Sequence, residues 1–215
     1  MPDASTLPAL SPNPVRGRLN SAFFALTTGY TDHRLAGHKR KVFPRGGVVA
    51  EIGAGNGPNL RYLPPGTTVH AIEPNPYFHR RLERTAADHG IDLAIHAVPG
   101  EAIDLEDASV DAVVGTWVLC TVHDPAQVLR EIHRILRPGG RFAFIEHVAA
   151  PHGAVRGVQR LVRRPWRWAF EGCHTDRDTA AAVHAAGFAS VEITEFRFRS
   201  SFIPVRTQIA GIAVR

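Results

Sequence analysis

The feature that most constrains this chain is a glycine-rich turn, Gly53-Ala54-Gly55-Asn56-Gly57, which follows a short apolar stretch at Val48 to Ile52 and opens a run of alternating strand and helix patterns. A helix near Asn56 to Tyr62, strand Thr68 to Ile72, helix Pro76 to about His89, strand Asp92 to Ala97, strand Val110 to Thr116, helix Pro125 to Leu136 and strand Arg141 to Val148 are expected in turn. Prolines at the first turns of two of these helices, and the Arg137-Pro138-Gly139-Gly140 stop, set their limits. Apolar strands joined through helices require a parallel sheet covered on both faces, because a parallel crossover needs a connection of helix length.

The flanks read differently. The first fifteen residues carry four prolines and predict a tail, followed by helices at Arg18 to Thr28 and Asp32 to Phe43 that would form a cap. After the central run come a helix from Val155 to Phe170 interrupted at Pro165, a helix from Asp176 to Ala186, and two consecutive strands at Ser190 to Phe198 and Val205 to Val214. Two strands without an intervening helix predict an antiparallel pair at the sheet edge. The division expected is residues 1–47 as tail and cap and residues 48–215 as one domain.

Composition removes other classes. Hydrophobic residues at 44% and charged residues at 21% permit a buried core and exclude a disordered polymer. With only Cys120 and Cys173, and no CxxC pair, neither a disulfide scaffold nor a cysteine-based zinc site is expected, and the histidine spacing gives no metal site. No apolar run approaches membrane-spanning length and the start of the chain is too polar for a signal peptide, so a cytoplasmic protein without stable membrane insertion is expected. The net charge of +5 is uneven, with an acidic centre between basic flanks, and is read as solvated surface rather than as a nucleic-acid interface.

The glycine turn carries the first chemical signal. A dinucleotide fingerprint would place its third glycine at position 58, which is Pro58; the spacing here is G-x-G-x-G, with Glu51 two residues ahead of Gly53. That pattern favours S-adenosylmethionine (SAM), whose ammonium group Glu51 can attract while Gly53, Ala54, Gly55 and Asn56 let the backbone approach the ligand. Glu73, with Pro74 beside it, ends the next strand, where a carboxylate can accept from both ribose hydroxyls. Glu101 can accept from the adenine amino group and the Ala102 N–H can donate to the ring, and Thr116 and Trp117 at the fourth strand's end complete the expected contacts.

With these motifs in hand, the chain resembles the class I SAM-dependent methyltransferases of the methyltransferase-11 type, through EIGAGNG, AIEPN, GEAIDL, SVDAVVGTWVL and LREIHRILRPGGRF. It is also similar to the alkyl-thiol methyltransferases of animal membranes and their bacterial relatives. That likeness rests on YLPPGTTVHAIEPNPYF, the stretch VLCTVHDP to IEHVAAP, and later Gln159, Pro165-Trp166, Phe170-Glu171-Gly172-Cys173 and Arg177. The resemblance implies a Rossmann-like α/β fold with a seven-stranded, mostly parallel sheet, an antiparallel last strand and an N-terminal helical cap. It also implies methyl transfer to a small-molecule acceptor, a thiol before an oxygen or nitrogen. Those membrane enzymes carry a hydrophobic anchor where this chain has a polar, proline-rich start.

For the acceptor, the ends of the fourth and fifth strands offer Trp117, Cys120, His123, Glu146 and His147, with His147 preferred to His123 as a base and Glu146 and His147 on opposite faces. His123 also fits a loop ahead of an Asp124 N-cap. Phe24, Tyr30, Trp166 and Trp168 from the caps are candidate pocket walls, and the two cysteines read as small buried residues rather than nucleophiles. RNA modification is disfavoured: no Asn/Asp-Pro-Pro-aromatic motif occurs and the length leaves no room for a separate RNA-binding module.

Overall fold

A computed structural model describes residues 14–170, 172–200 and 202–215. The expected tail at residues 1–13, and Glu171 of the later motif, lie outside the described residues. The elements are α1 (Pro14–Val42), β1 (Val48–Ile52), β2 (Thr68–Ile72), α2 (Pro76–His89), β3 (Asp92–His96), β4 (Val110–Thr116), α3 (Pro125–Ile135), β5 (Leu136–His147), α4 (Gly153–Ala169), α5 (Thr179–His184), β6 (Ser190–Arg197) and β7 (Thr207–Val214). The seven strands form one sheet in the order β3-β2-β1-β4-β5-β7-β6. β1 to β5 run parallel, and β7 lies antiparallel between β5 and β6.

Side-chain alternation along the central strands builds the two layers of core. Val113, Phe142 and Phe144 face α3 and α5, whereas Ala112, Val114 and Ala143 face α2. A third cluster of Leu35, Ile145, Phe198, Val205 and Ala210 lies beneath α1. Strand order reverses between β1 and β4, so the carboxyl ends of these strands open on one crevice.

Several expected elements differ. The two N-terminal helices are one, because Gly29 meets no crowding and the Thr27, Thr28 and Thr31 hydroxyls donate back to carbonyls one turn earlier, leaving the helix no polar reason to stop. Pro14 and Val15 already belong to it. The helix expected at Asn56 shrinks to a 3-10 turn at Leu60–Tyr62, since Gly57 is left-handed at φ +77° and Pro58 has no N–H to give. α4 passes through Pro165; the lost hydrogen bond falls next to Leu161, which is solvent-exposed. β5 starts at Leu136 rather than after the Pro-Gly-Gly stop, which is absorbed as a register shift against β4.

α1 is tied to both ends of the crevice. Near its start, Ser21 Oγ donates to the Tyr77 carbonyl, Arg81 donates to the Ser21 carbonyl, and Phe24 lies 6.3 Å from Phe78. Further on, Tyr30 and Arg34 donate to the Arg199 carbonyl, at 3.0 and 2.9 Å. Lys39, 2% exposed, donates to Asp32 at 2.6 Å, and Tyr62 donates to the other Asp32 oxygen at 2.9 Å. Burial pushes the Lys39 amine down against the pull of Asp32.

Candidate active site

The turn after β1 needs its glycines for two separate reasons. A Cβ on Gly53 would come within 2.8 Å of Val118, so this position secures close packing of the β1 turn on the β4 loop. Gly55 sits at φ +54° with open space where its Cβ would be, so there the gain is the left-handed backbone and a clear approach for a ligand. The Glu73 carboxylate holds the turn: Oε2 accepts from the Gly55 N–H at 2.8 Å and Oε1 from the Asn75 N–H at 2.9 Å.

Glu51 is fully buried. Asn59 donates to its Oε1 at 2.8 Å and also reaches Thr116 Oγ1 at 3.3 Å, so the ends of β1 and β4 are linked through one amide. Glu51 Oε2 and both polar side-chain atoms of Asn56 are buried without a partner. Burial pushes the Glu51 carboxyl up to about 7, opposed by the Asn59 hydrogen bond and the Lys39 charge. Unsatisfied polar atoms beside an open glycine turn fit a polar, cationic ligand such as SAM. Glu101 is differently engaged: its Oε1 accepts from the backbone N–H groups of His123 and Asp124, at 2.8 and 3.2 Å, and so anchors the start of α3. Asp124 caps that helix by accepting from Gln127 N–H.

The acceptor side is built from chain segments that are distant in sequence. Trp117 follows β4 in a left-handed conformation, φ +57°, which is costly for a bulky residue. Its indole N–H donates to buried Gln208 at 2.8 Å, and its ring packs 5.6 Å from Phe198 and 6.3 Å from His147. Glu146 and His147 do face opposite ways. The Glu146 carboxylate accepts from the N–H groups of Val118, Leu119 and Cys120, so it shapes the turn that carries Cys120 and is not available as an acceptor-side base. Burial pushes it up to about 7 even against those three donors. His147, 2% exposed, points to the α4 side, where its Nε2 lies 3.1 Å from Cys173 Sγ.

Here the structure corrects the reading that kept the cysteines apart. They are 53 positions distant, yet their sulfurs are 3.8 Å from each other, and the Trp166 indole N–H donates to Cys173 Sγ at 3.3 Å. The cause is the return of the chain after α4 across the β4 loop: the His174 N–H donates to the Cys120 carbonyl, and Arg177 Nη1 donates to the Leu119 and Val122 carbonyls. Burial pushes the Cys120 thiol up. Cys173 is held well below the usual thiol range by the Cys120 thiol beside it and, despite burial, by His147 and Trp166. Burial also opposes the charged form of His147, but Cys173 and Glu146 together hold its pKa above the ordinary imidazole value.

The other candidates fall into place around this cluster. His123 is exposed and takes part only through its backbone, so the structure does not bring it to His147. Phe24 packs toward α2; its neighbour Phe23 instead lies 5.5 Å from Phe170, which with Trp166 and Phe202 makes an aromatic cover. Tyr30 is exposed on the wall of an open cavity of about 460 Å³ shared with Arg197, Phe198, Arg199, Ser200 and Arg206. Trp168 is exposed on the outside of α4. Sequence reasoning missed Asn59, Gln208 and Lys39, whose polar groups act only through partners that the fold supplies.

The methyltransferase domain model matches residues 50–144. The human thiol S-methyltransferase TMT1B is 34% identical over 204 residues, covering 89% of this chain and 84% of that protein. Human TMT1A is 34% identical over 206 residues, covering 90% and 84%. The fold alone is shared with a solved SAM-dependent methyltransferase from Mesorhizobium loti, at TM-score 0.62 and 22% identity, covering 85% of this chain and 98% of that one. The expected class I architecture and SAM as cofactor therefore stand, and no helix among the described residues is long and apolar enough to cross a membrane. The match to the two human proteins runs far past the domain model and through the acceptor side, and on that breadth the chain belongs to the family of SAM-dependent methyltransferases that contains the thiol S-methyltransferases TMT1A and TMT1B.

Proposed function

We propose that this protein methylates the sulfur of a small thiol. The observation that carries the reading is the extent of the likeness. The domain model ends at residue 144, whereas the two human relatives named thiol S-methyltransferases match 89% and 90% of the chain, a span that must include most of the last third, with His147, α4 and Cys173. Residues 48–215 form the methyltransferase domain and the segment before them its cap, in a cytoplasmic protein that acts on a small molecule and not on nucleic acid.

On the cofactor side, the Glu73 carboxylate accepts from the ribose hydroxyls, with Pro74 shaping the turn beside it. Glu51 offers its unpartnered oxygen to the ammonium group, and Gly53, Ala54, Gly55 and Asn56 line the approach. Glu101 and Ala102 face adenine, and Thr116 and Trp117 bound the methyl end. When bound, SAM supplies a methyl group on a positively charged sulfur. Cys120, Trp166 and the aromatic cover exclude water from the acceptor, and His147 orients the thiol or takes its proton.

Incubation with labelled SAM and a panel of thiols, phenols and amines tests the acceptor class, and labelled product confined to phenols or amines would overturn it. Single-turnover rates against pH for the wild type and His147→Ala then test the base. With a thiol, the variant should lose rate mainly below the thiol pKa, where little thiolate is present. With a phenol, the loss should extend across the whole range by about 10² to 10⁴.

A further inference from the structure

We propose that Cys120, Cys173 and His147 form a binding site for one thiophilic divalent cation, zinc by ligand chemistry, with three protein ligands and a fourth position for an incoming sulfur. The three donor atoms, all buried, lie within 4.8 Å of one another. A tetrahedral zinc ion with metal–sulfur bonds of about 2.3 Å and metal–nitrogen bonds of about 2.0 Å places two sulfurs about 3.8 Å apart and a sulfur and a nitrogen about 3.5 Å apart. The separations found are 3.8 Å between the cysteine sulfurs and 3.1 Å between Cys173 Sγ and His147 Nε2, each within tenths of an ångström of those values, and the third pair, Cys120 and His147, lies within 4.8 Å, so entry of the ion draws His147 and Cys120 together.

The ligands are held where a cation needs them. Cys120 is fixed through its N–H to Glu146 and its carbonyl to the His174 N–H, which also sets the position of the neighbouring Cys173. His147 closes β5, whose pairing with β7 extends to His147 opposite Gln208. The Trp166 indole N–H, 3.3 Å from Cys173 Sγ, is an outer-shell donor of the kind that stabilises a metal-bound thiolate. A disulfide would instead need the sulfurs at about 2.05 Å, far closer than they stand.

Among the described residues the group holds three donors and no fourth His, Cys, Asp or Glu. Structural zinc sites close with four protein ligands, whereas sites that act on a substrate keep one position open. The role of that position rests on the thiol reading above: a substrate thiol entering it would bind as thiolate and be fixed at the acceptor end of the crevice. The protons balance simply. Each cysteine and the entering thiol release one proton to solvent, His147 binds as neutral imidazole through Nε2 and so orients the thiol through the ion rather than taking its proton, and no electron is transferred.

The test uses the full chain, reduced and stripped of metal with a chelator, then titrated with cobalt(II) and, in competition with a chromophoric chelator, with zinc. The expected result is one ion per chain with a thiolate-to-cobalt charge-transfer band. Cys120→Ser, Cys173→Ser and His147→Gln should each weaken zinc binding by about 100-fold or more. SAM affinity, measured on each variant, should stay within about twofold of wild type and so reports intact folding. A small alkane thiol should shift the cobalt spectrum where a phenol does not. Failure of the wild type to take up either metal at one equivalent, or uptake that survives the double cysteine variant, overturns the site. Full-rate thiol methylation by metal-free protein, or a metal site whose spectrum ignores thiols, would overturn the open-position role while leaving the proposed function standing.

Discussion

The two ends of the crevice are assembled in opposite ways. On the cofactor side most partners are near in sequence: Asn59 reaches Glu51 across 8 positions, Gly55 reaches Glu73 across 18, and His123 reaches Glu101 across 22, with only the weaker 3.3 Å contact of Asn59 to Thr116 spanning more, 57, among the bonds described above. On the acceptor side His147 meets Cys173 across 26 positions, Cys120 meets Cys173 across 53, and Trp117 meets Gln208 across 91. A site whose parts fall at the ends of successive parallel strands is placed by sheet geometry alone. One that waits for a helix and a loop to return from the far edge is placed by packing, and can therefore change while the sheet stays as it is.

If this contrast is sound, damage to the turn after β1 should remove cofactor binding and leave the sulfur cluster intact. Gly55→Val shows the largest effect: a branched side chain at φ +54° occupies the open approach, and SAM binding should fall below detection by calorimetry. The apo protein should lose only a few degrees of melting temperature, from about 1 to 2 kcal/mol of backbone strain. Loss of cysteine burial, read by thiol labelling in the same variant, would show that the two ends are not independent. Next in size, Glu73→Ala should weaken SAM by about 2 to 3 kcal/mol, since two charge-assisted acceptors and the anchor of the Gly55 N–H go together.

A pH series sharpens the same comparison. Glu51 titrates near 7 in the folded chain without ligand, against 4.5 when unperturbed, so the folded chain holds the extra proton between those values. This group's contribution to stability therefore falls as pH rises from about 4.5 to about 7. Cofactor affinity should run the other way, weakening about tenfold from pH 8 to pH 6 as Glu51 loses its charge, and Glu51→Gln should flatten the curve. The smallest effect is expected from Gln208→Leu, which strands the Trp117 indole N–H: the acceptor KM should rise about fivefold, for a loss near 1 kcal/mol, with SAM affinity unchanged.

The same division explains what was legible in the sequence. The limits of β2, α2 and β4 match the apolar pattern because Asn75, Gly90 and the flanking turns act locally, Asn75 accepting from the Tyr77 N–H and Gly90 closing α2 in the left-handed region. Glu51 and Glu73 stand out because they end strands beside a glycine turn. Cys120 and Cys173, by contrast, carry no spacing signal, since what joins them is the crossing of two backbones fixed by Arg177. Lys39 reads as one more surface cation in a basic run until Asp32, seven residues earlier on the same helix, is seen buried against Tyr62. The gap expected between helices at Arg18 to Thr28 and Asp32 to Phe43 is itself helical, because the Thr27, Thr28 and Thr31 hydroxyls find acceptors within the one long helix.

The bonds from Tyr30 and Arg34 to Arg199 span 169 and 165 positions, so α1 is synthesised long before the chain segment it docks on. At about 5 to 20 residues per second, a nascent chain carries α1 without that partner for on the order of 10 to 30 s. Through that interval Phe23 has neither Phe170 nor Phe202 to cover it. The span that joins the two ends of the finished crevice thus also leaves aromatic surface exposed during biosynthesis, on a segment where a chaperone would have time to act.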